Sequence, residues 1–241
     1  MLNHRVLFNL ITLGLLLLGT VPATSQSNTN PPPRREGKVT RVVFKPPLED
    51  KKPSQSRAAG SRGKCLDNGN LSLVALVPSS NFGLTTAERP SLWVYVPENS
   101  AKQVVLSLAE EDKTYHSRTS IPLAGQSGII KLQPSPDSRP LEVGKTYQWS
   151  AVLVCGDNLS PDDPGVASWV RRVADPKPIP SGSALEAAAF YGEQGIWYDA
   201  LTDLLKVKQS QPNNPALTTI STEFLQSAGL NLDLSILEKS D

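Results

Sequence analysis

Tyr147-Gln148-Trp149-Ser150-Ala151-Val152-Leu153-Val154-Cys155 is the stretch that sets the fold class of this chain. Aromatic and β-branched residues run through it with partial alternation, the pattern of a strand covered on one face and partly covered on the other. Leu92-Trp93-Val94-Tyr95-Val96 has the same character and is bracketed by Pro90 and Pro97. Outward from these two, short apolar runs separated by turn residues predict strands at Leu71 to Val77, Ser91 to Val96, Gln103 to Ala109, Lys113 to Arg118, Gly128 to Leu132, Tyr147 to Val154 and Ala167 to Val173. Helical periods are absent from this block. Seven short strands punctuated by Pro, Gly, Asn and Asp predict an Ig-like antiparallel β-sandwich over residues 65–175.

After Pro176-Lys177-Pro178-Ile179-Pro180 the period switches, and residues 176–241 read as a C-terminal helical region. Ser183-Ala184-Leu185-Glu186 is a capping box, in which serine hydroxyl and glutamate carboxylate satisfy the first orphan amides of a helix. That helix is predicted from Ala184 to Gly192 and a second from Trp197 to Lys208. Asn214-Pro215 supplies a cap and a first-turn proline for a third, with Leu217, Ile220, Phe224 and Leu225 on one side and Gly229 as its stop. The fold class is therefore mainly β with α. The first two helices resemble one tetratricopeptide-like hairpin, with Ala188, Tyr191, Gly195, Trp197, Ala200, Leu204, Val207 and Pro212 at the spacings of that repeat. A single unit cannot bury its outer face alone, so it must pack on the sandwich, the third helix or another molecule.

Residues 1–25 pair a short basic start, His4 and Arg5, with the apolar run Val6 to Leu18 and the small residues Ala23-Thr24-Ser25, which reads as a secretory signal peptide. The run falls short of the ~20 residues of a spanning helix, so no permanent membrane span is expected. Residues 26–64 are rich in Pro, Ser, Lys and Arg and read as a disordered basic linker. One segment interrupts it: Val39-Thr40-Arg41-Val42-Val43-Phe44 is β-branched and reads as an edge strand or a docking segment. In an exported chain the two cysteines, Cys65 and Cys155, are expected to form a disulfide, with two buried free thiols as the alternative. Closing a loop of about 90 residues stabilises by at most roughly 4–5 kcal/mol in the chain-entropy model.

The 24 Lys+Arg and 23 Asp+Glu nearly cancel, which argues against nucleic-acid binding by bulk charge. The charge is unevenly spread. Residues 31–64 hold ten Lys/Arg against three Asp/Glu, leaving 13 against 20 in residues 65–241, so a basic arm precedes an acidic body. With His4 lost in the signal peptide, His116 remains, read as a surface strand residue, and no Ser-His-Asp or Cys-His arrangement uses it. One histidine and two distant cysteines give no zinc spacing, and no metal or cofactor is expected. Glu110-Glu111-Asp112 lies at a predicted hairpin turn, where acidic residues are ordinarily solvated. Asp157, Asp162 and Asp163 make an oxygen-rich loop whose spacing matches no EF-hand. Gly60-Ser61-Arg62-Gly63-Lys64 lacks the spacer and following Ser/Thr of a phosphate-binding loop. Trp93, Trp149 and Trp169 are expected in the core, and Tyr198, beside a buried Trp197, is expected on a contact surface.

The order of segments Arg62-Gly63-Lys64-Cys65, Leu73 to Pro78, Gly83 to Pro90, Trp93 to Pro97, Pro140 to Trp149, Val154-Cys155, Val166 to Val173 and Tyr191 to Ala200 resembles the bacterial, mainly cyanobacterial, secreted family known as domain of unknown function 928. The resemblance covers residues 57 to 235. It implies an exported protein of this two-part layout, associated with secretion or adhesion systems, and brings no assigned activity. The expectation is a noncatalytic accessory protein, periplasmic or extracellular, that binds another envelope or secreted protein by a sheet edge or by the helical surface, with Glu193, Tyr198 and Asp199 near the contact. The rival is an envelope carbohydrate-binding module or a glycan-acting enzyme working through carboxylates. A structural assembly factor is a third possibility.

Overall fold

The computed structural model describes residues 41–47, 65–66, 72–112, 114–177 and 182–231. The expected signal peptide, the rest of the linker including Gly60 to Lys64, and residue 113 lie outside the described residues.

Among the described residues eight strands form two sheets. β1 (Val74–Ala75), β3 (Leu92–Val96) and β6 (Gly128–Leu132) make one in the order β1-β3-β6. β2 (Phe82–Thr85), β8 (Gly165–Arg172), β7 (Thr146–Val154), β4 (Gln103–Glu110) and β5 (Tyr115–Pro122) make the other in the order β2-β8-β7-β4-β5. Three helices follow: α1 (Ala184–Glu193), α2 (Trp197–Ser210) and α3 (Pro215–Ser227). The chain is thus mostly β, with its helices at the C-terminal end.

Pleat alternation selects the buried faces. Val104, Leu106 and Leu108 of β4 and Tyr147, Trp149, Ala151 and Leu153 of β7 point inward and join Leu92 and Val94 of β3 in one apolar cluster. All five residues of β3 are buried, because the second face of this strand is covered too. Trp93, on that second face, donates its indole Nε1–H to Thr202 Oγ1 of α2 at 3.0 Å. The core tryptophans are as predicted: Trp93, Trp149 and Trp169 are all buried. Cys65 and Cys155 form a disulfide across a sequence separation of 90, with Cα atoms 5.3 Å apart.

The all-antiparallel expectation needs one correction. β2, absent from the predicted strands, pairs parallel with β8 in the register Phe82↔Trp169 to Thr85↔Arg172. It is only four residues long and carries Gly83, so neither length nor β-propensity announces it. The glycine is there for space: a Cβ on residue 83 would stand 2.9 Å from Cε2 of Tyr198 and 3.1 Å from Cβ of Trp197. β1 is shorter than predicted, at two residues. β5 runs four residues further than predicted, since Thr119 to Pro122 pair with Leu106 to Gln103 despite their low hydrophobicity.

The helix ends follow their sequence signals closely. Ser183 Oγ accepts from Glu186 N while Glu186 Oε2 accepts from Ser183 N, completing the capping box. Asn214 Oδ1 caps α3 by accepting from Ala216 N, with Pro215 in its first turn. The stretch read as an edge strand or a docking segment is described from Arg41 onward, in the segment Arg41 to Pro47. It is not a strand; it docks as an extended segment on the helices, with Val42 and Phe44 buried in the main cluster.

Candidate functional site

The first turn of α2 is the keystone between helices and strands. Trp197, fully buried, donates its Nε1–H to the Leu76 carbonyl at 2.9 Å and stacks on Phe224 of α3 at 4.8 Å. Tyr198 reaches the five-stranded sheet, where its hydroxyl donates to the Trp169 carbonyl at 3.0 Å and accepts from Trp149 Nε1 at 2.8 Å. Asp199 turns to the loop after β2. Its Oδ2 accepts from Thr85 Oγ1 at 2.7 Å and its Oδ1 from Thr86 Oγ1 at 2.6 Å, with Thr86 N–H shared between the two oxygens. Burial pushes the Asp199 carboxyl above the ordinary carboxylate range, against the lowering pull of the Thr86 and Thr85 hydrogen bonds.

These contacts separate the three residues expected at a partner surface. Tyr198 is 1% exposed with its polar atom satisfied inside, so it has no contact face to offer and is corrected to a core residue. Alternation arguments do not apply to the first turn of a helix, and its neighbour Trp197 gave no reason to turn Tyr198 outward. Asp199 is half-buried in a cleft of about 280 Å³ whose lining includes Arg89, Gln133, Tyr191, Thr202 and Asp203. Glu193 is exposed at the end of α1, with Oε1 3.7 Å from Lys45 Nζ. One residue is interior, one holds a loop, and one flanks the docked segment.

His116 is also corrected. Rather than a surface residue it is 8% exposed, because a register shift at Leu108/Ala109 leaves it as an extra residue in β5 and aims its ring inward. The ring meets Tyr147 edge-on at 4.8 Å, and its Nε2 lies 2.9 Å from the Arg139 carbonyl. Arg139 Nη2 stands 3.3 Å from Nδ1, so a neutral ring donating from Nε2 and accepting at Nδ1 satisfies both contacts. Burial lowers the His116 pKa, and the Arg139 charge adds to that.

The candidate carboxylates are engaged in local structure. Glu110 pairs with Arg139 and Lys145 at 2.9 and 3.3 Å, and Asp112 Oδ1 accepts from Thr114 N across the β4–β5 turn. Asp157 pairs with Lys102 at 2.7 Å, while Asp163 Oδ2 accepts from Ser160 N within its own loop. Among the described residues no group of three His, Cys, Asp or Glu is placed to hold a metal, and no helix is long and apolar enough to cross a membrane.

A further surface was not foreseen from the sequence. On the outer face of the five-stranded sheet, the β2–β8 end is covered: Phe82, Leu84 and Trp169 pack with Ile196 from the turn between α1 and α2. Toward the β5 end the face is more open: its residues are half-buried, although Val105 of the same face is buried. There Ser107 and Ala109 of β4, Gln148 and Ser150 of β7 and Ala167 of β8 line a shallow hollow of about 300 Å³, rimmed by Tyr115 and Arg118 of β5. Tyr115 is 65% exposed. The signal in the sequence was faint: small uncharged residues at alternate positions, where a solvated sheet face ordinarily carries charge.

No curated protein matches the chain. Among solved structures, the fn3 domain of human collagen alpha-1(XX) chain is similar at 14% identity, over 42% of this chain and 93% of that one, with a TM-score of 0.26. The profile of the family described as Domain of Unknown Function (DUF928) matches residues 57–239, a span that takes in the disulfide, both sheets and all three helices, and the chain belongs to that family.

Proposed function

We propose that the protein is an exported, noncatalytic accessory protein that binds another envelope or secreted protein through the more open outer face of its five-stranded sheet, beside β5. In this reading the strands form an Ig-like sandwich and α1–α2 a tetratricopeptide-like hairpin packed on it. The observation that carries the proposal is the composition of the face: Ser107, Ala109, Gln148, Ser150 and Ala167 offer a flat centre free of charge, with Tyr115 and Arg118 at the rim. Interface centres are depleted of charge, and Tyr and Arg are over-represented among residues that carry binding energy. β5 ends the sheet order, so its outer edge is free of a strand neighbour among the described residues and is suited to pairing with an extended segment. The Cys65–Cys155 disulfide is compatible with an oxidising compartment.

The test is site-specific photocrosslinking in the native envelope. A crosslinker at Ser107 or Ser150 is expected to capture one and the same protein, and a crosslinker at the exposed Thr219 of α3 is not. Adducts equal at all three positions, or absent at the two sheet positions, defeat the reading.

Carbohydrate binding is the second reading, and one observation favours it. The cleft beside Asp199 mixes donors and acceptors from Arg89, Gln133, Tyr191, Thr202 and Asp203, and Arg89 Nε is buried there without a hydrogen-bond partner. Glycan-array binding that is lost on Asp203→Ala and kept on Ser150→Arg would support this second reading over the first.

A further inference from the structure

The segment Arg41 to Pro47 is held as a ligand is held. It lies extended, with Val42 (0% exposed) and Phe44 (5%) turned in and Val43 and Lys45 turned out. The Phe44 ring meets Trp197 edge-on at 5.0 Å. Its main chain is gripped as well: Phe44 N–H donates to Ser227 Oγ of α3 at 2.9 Å, and Lys45 N–H to the Gly192 carbonyl of α1 at 3.0 Å. Two glycines leave room for that main chain. A Cβ on Gly192 would lie 2.6 Å from the Val43 carbonyl oxygen, and one on Gly195 would lie 2.9 Å from that of Lys45 and 2.8 Å from Cδ of Pro47. Acidic side chains meet its basic residues: Glu223 is 3.6 Å from Arg41 and Glu193 is 3.7 Å from Lys45, all four exposed.

We propose that this groove between α1, α2 and α3 is a peptide-binding site, occupied here in cis by residues 41–47, and that it accepts in trans a protein segment of the same chemistry. The ligand class is an extended stretch with an aliphatic and an aromatic side chain two positions apart, basic residues flanking them, and proline following. The site is separate from the open sheet face, and its test does not depend on that face.

Each contact reads local features: one aromatic socket, one aliphatic socket, two main-chain bonds and two surface charges. None of them requires the covalent link to Cys65. The 17 residues between Pro47 and Cys65 make the cis segment a competitor at an effective concentration on the order of mM. A trans ligand therefore binds the native chain weakly until the cis segment is displaced.

The experiment uses the full processed chain and a fluorescent peptide with the sequence of residues 40–47. Val42→Ser with Phe44→Ser vacates the groove and is expected to bind the peptide at least tenfold more tightly than the unmodified chain; Gly192→Val added to that variant is expected to abolish binding. Thermal melts report whether these variants fold. A second arm leaves residues 41–47 intact, inserts a protease site after Ser54, and cleaves the folded chain, after which excess labelled peptide is expected to replace the freed segment. Peptide bound no better by the vacated groove, or a cleaved segment that 1 mM peptide does not replace, overturns the proposal.

Discussion

One half of the outer face of the five-stranded sheet is roofed by helices and the other half is open, and the two halves are built from different residues. Under the roof stand Phe82, Leu84 and Trp169 with Ile196, while on the opposite face of β2 the keystone residues Trp197 and Tyr198 lock the helices to the strands. The open half carries Ser107, Ala109, Gln148, Ser150 and Ala167. Large rings with satisfied polar atoms belong to a permanent contact, whereas small uncharged side chains leave a surface that water tolerates and another surface can cover. Burial in this fold is thus complete on one half of the face and partial on the other.

The heaviest loss is expected at Trp197. Trp197→Ala removes the stack on Phe224, the socket of Phe44 and the bond to Leu76, and is expected to destabilise by about 3–5 kcal/mol, measured by urea unfolding. A loss below 1 kcal/mol would mean that the helical roof is not part of the core. Replacing both cysteines by serine is expected to cost about 2–4 kcal/mol, read as a fall in Tm that reductant reproduces in the unmodified protein. Gly83→Ala presses a methyl group into the Tyr198 ring and is expected to cost roughly 1–3 kcal/mol, since the facing atoms are themselves packed.

A smaller effect comes from His116. Its folded pKa lies below the unfolded value of about 6.5, so the unfolded chain binds the proton first as pH falls. The stability gained from the neutral ring is present above pH ~6.5 and is lost as pH drops toward the depressed folded value. His116→Gln is expected to flatten that slope in Tm measured between pH 7.5 and 5, and an unchanged slope would remove His116 from the account. Smallest of all, Ser150→Arg on the open half is expected to change stability by no more than about 0.5 kcal/mol while abolishing the crosslink from Ser107. A large loss of stability there would make the open half a structural face after all.

Much of this was legible in the residues. Strands such as Gln103–Glu110 and Thr146–Val154 declare themselves by length and β-branched content, and α1 and α3 by Ser183/Glu186 and Asn214-Pro215, because these signals are local. What stayed hidden depends on contacts distant in sequence. β2 is a strand through its parallel pairing with β8, some 85 positions on, and its Gly83 leaves the space taken by Tyr198, 115 positions later. His116 turns inward because a register shift opposite Ala109 re-aims it, and no alternation pattern records a shift. The β-branched run to Phe44 already set residues 41–44 apart from the linker as an edge strand or a docking segment, but the sockets that hold Val42 and Phe44 sit on helices roughly 150 residues downstream, where no local signal marks them. The open sheet face was missed for the opposite reason: what marks it is missing charge, and missing charge is a weak signal in any single strand.

The hydrogen-bonded chain Trp149–Tyr198–Trp169 also bears on how such a protein can be inherited. A recombination event that carried off the strands and left the helices behind would strip the Trp149 indole, the Tyr198 hydroxyl and the Trp169 carbonyl of their partners at once. The roughly 160 residues from the first cysteine to the end of the third helix are therefore expected to travel through genomes as one cassette, gaining and losing extensions at either end but not splitting where the proline-rich spacer invites a cut.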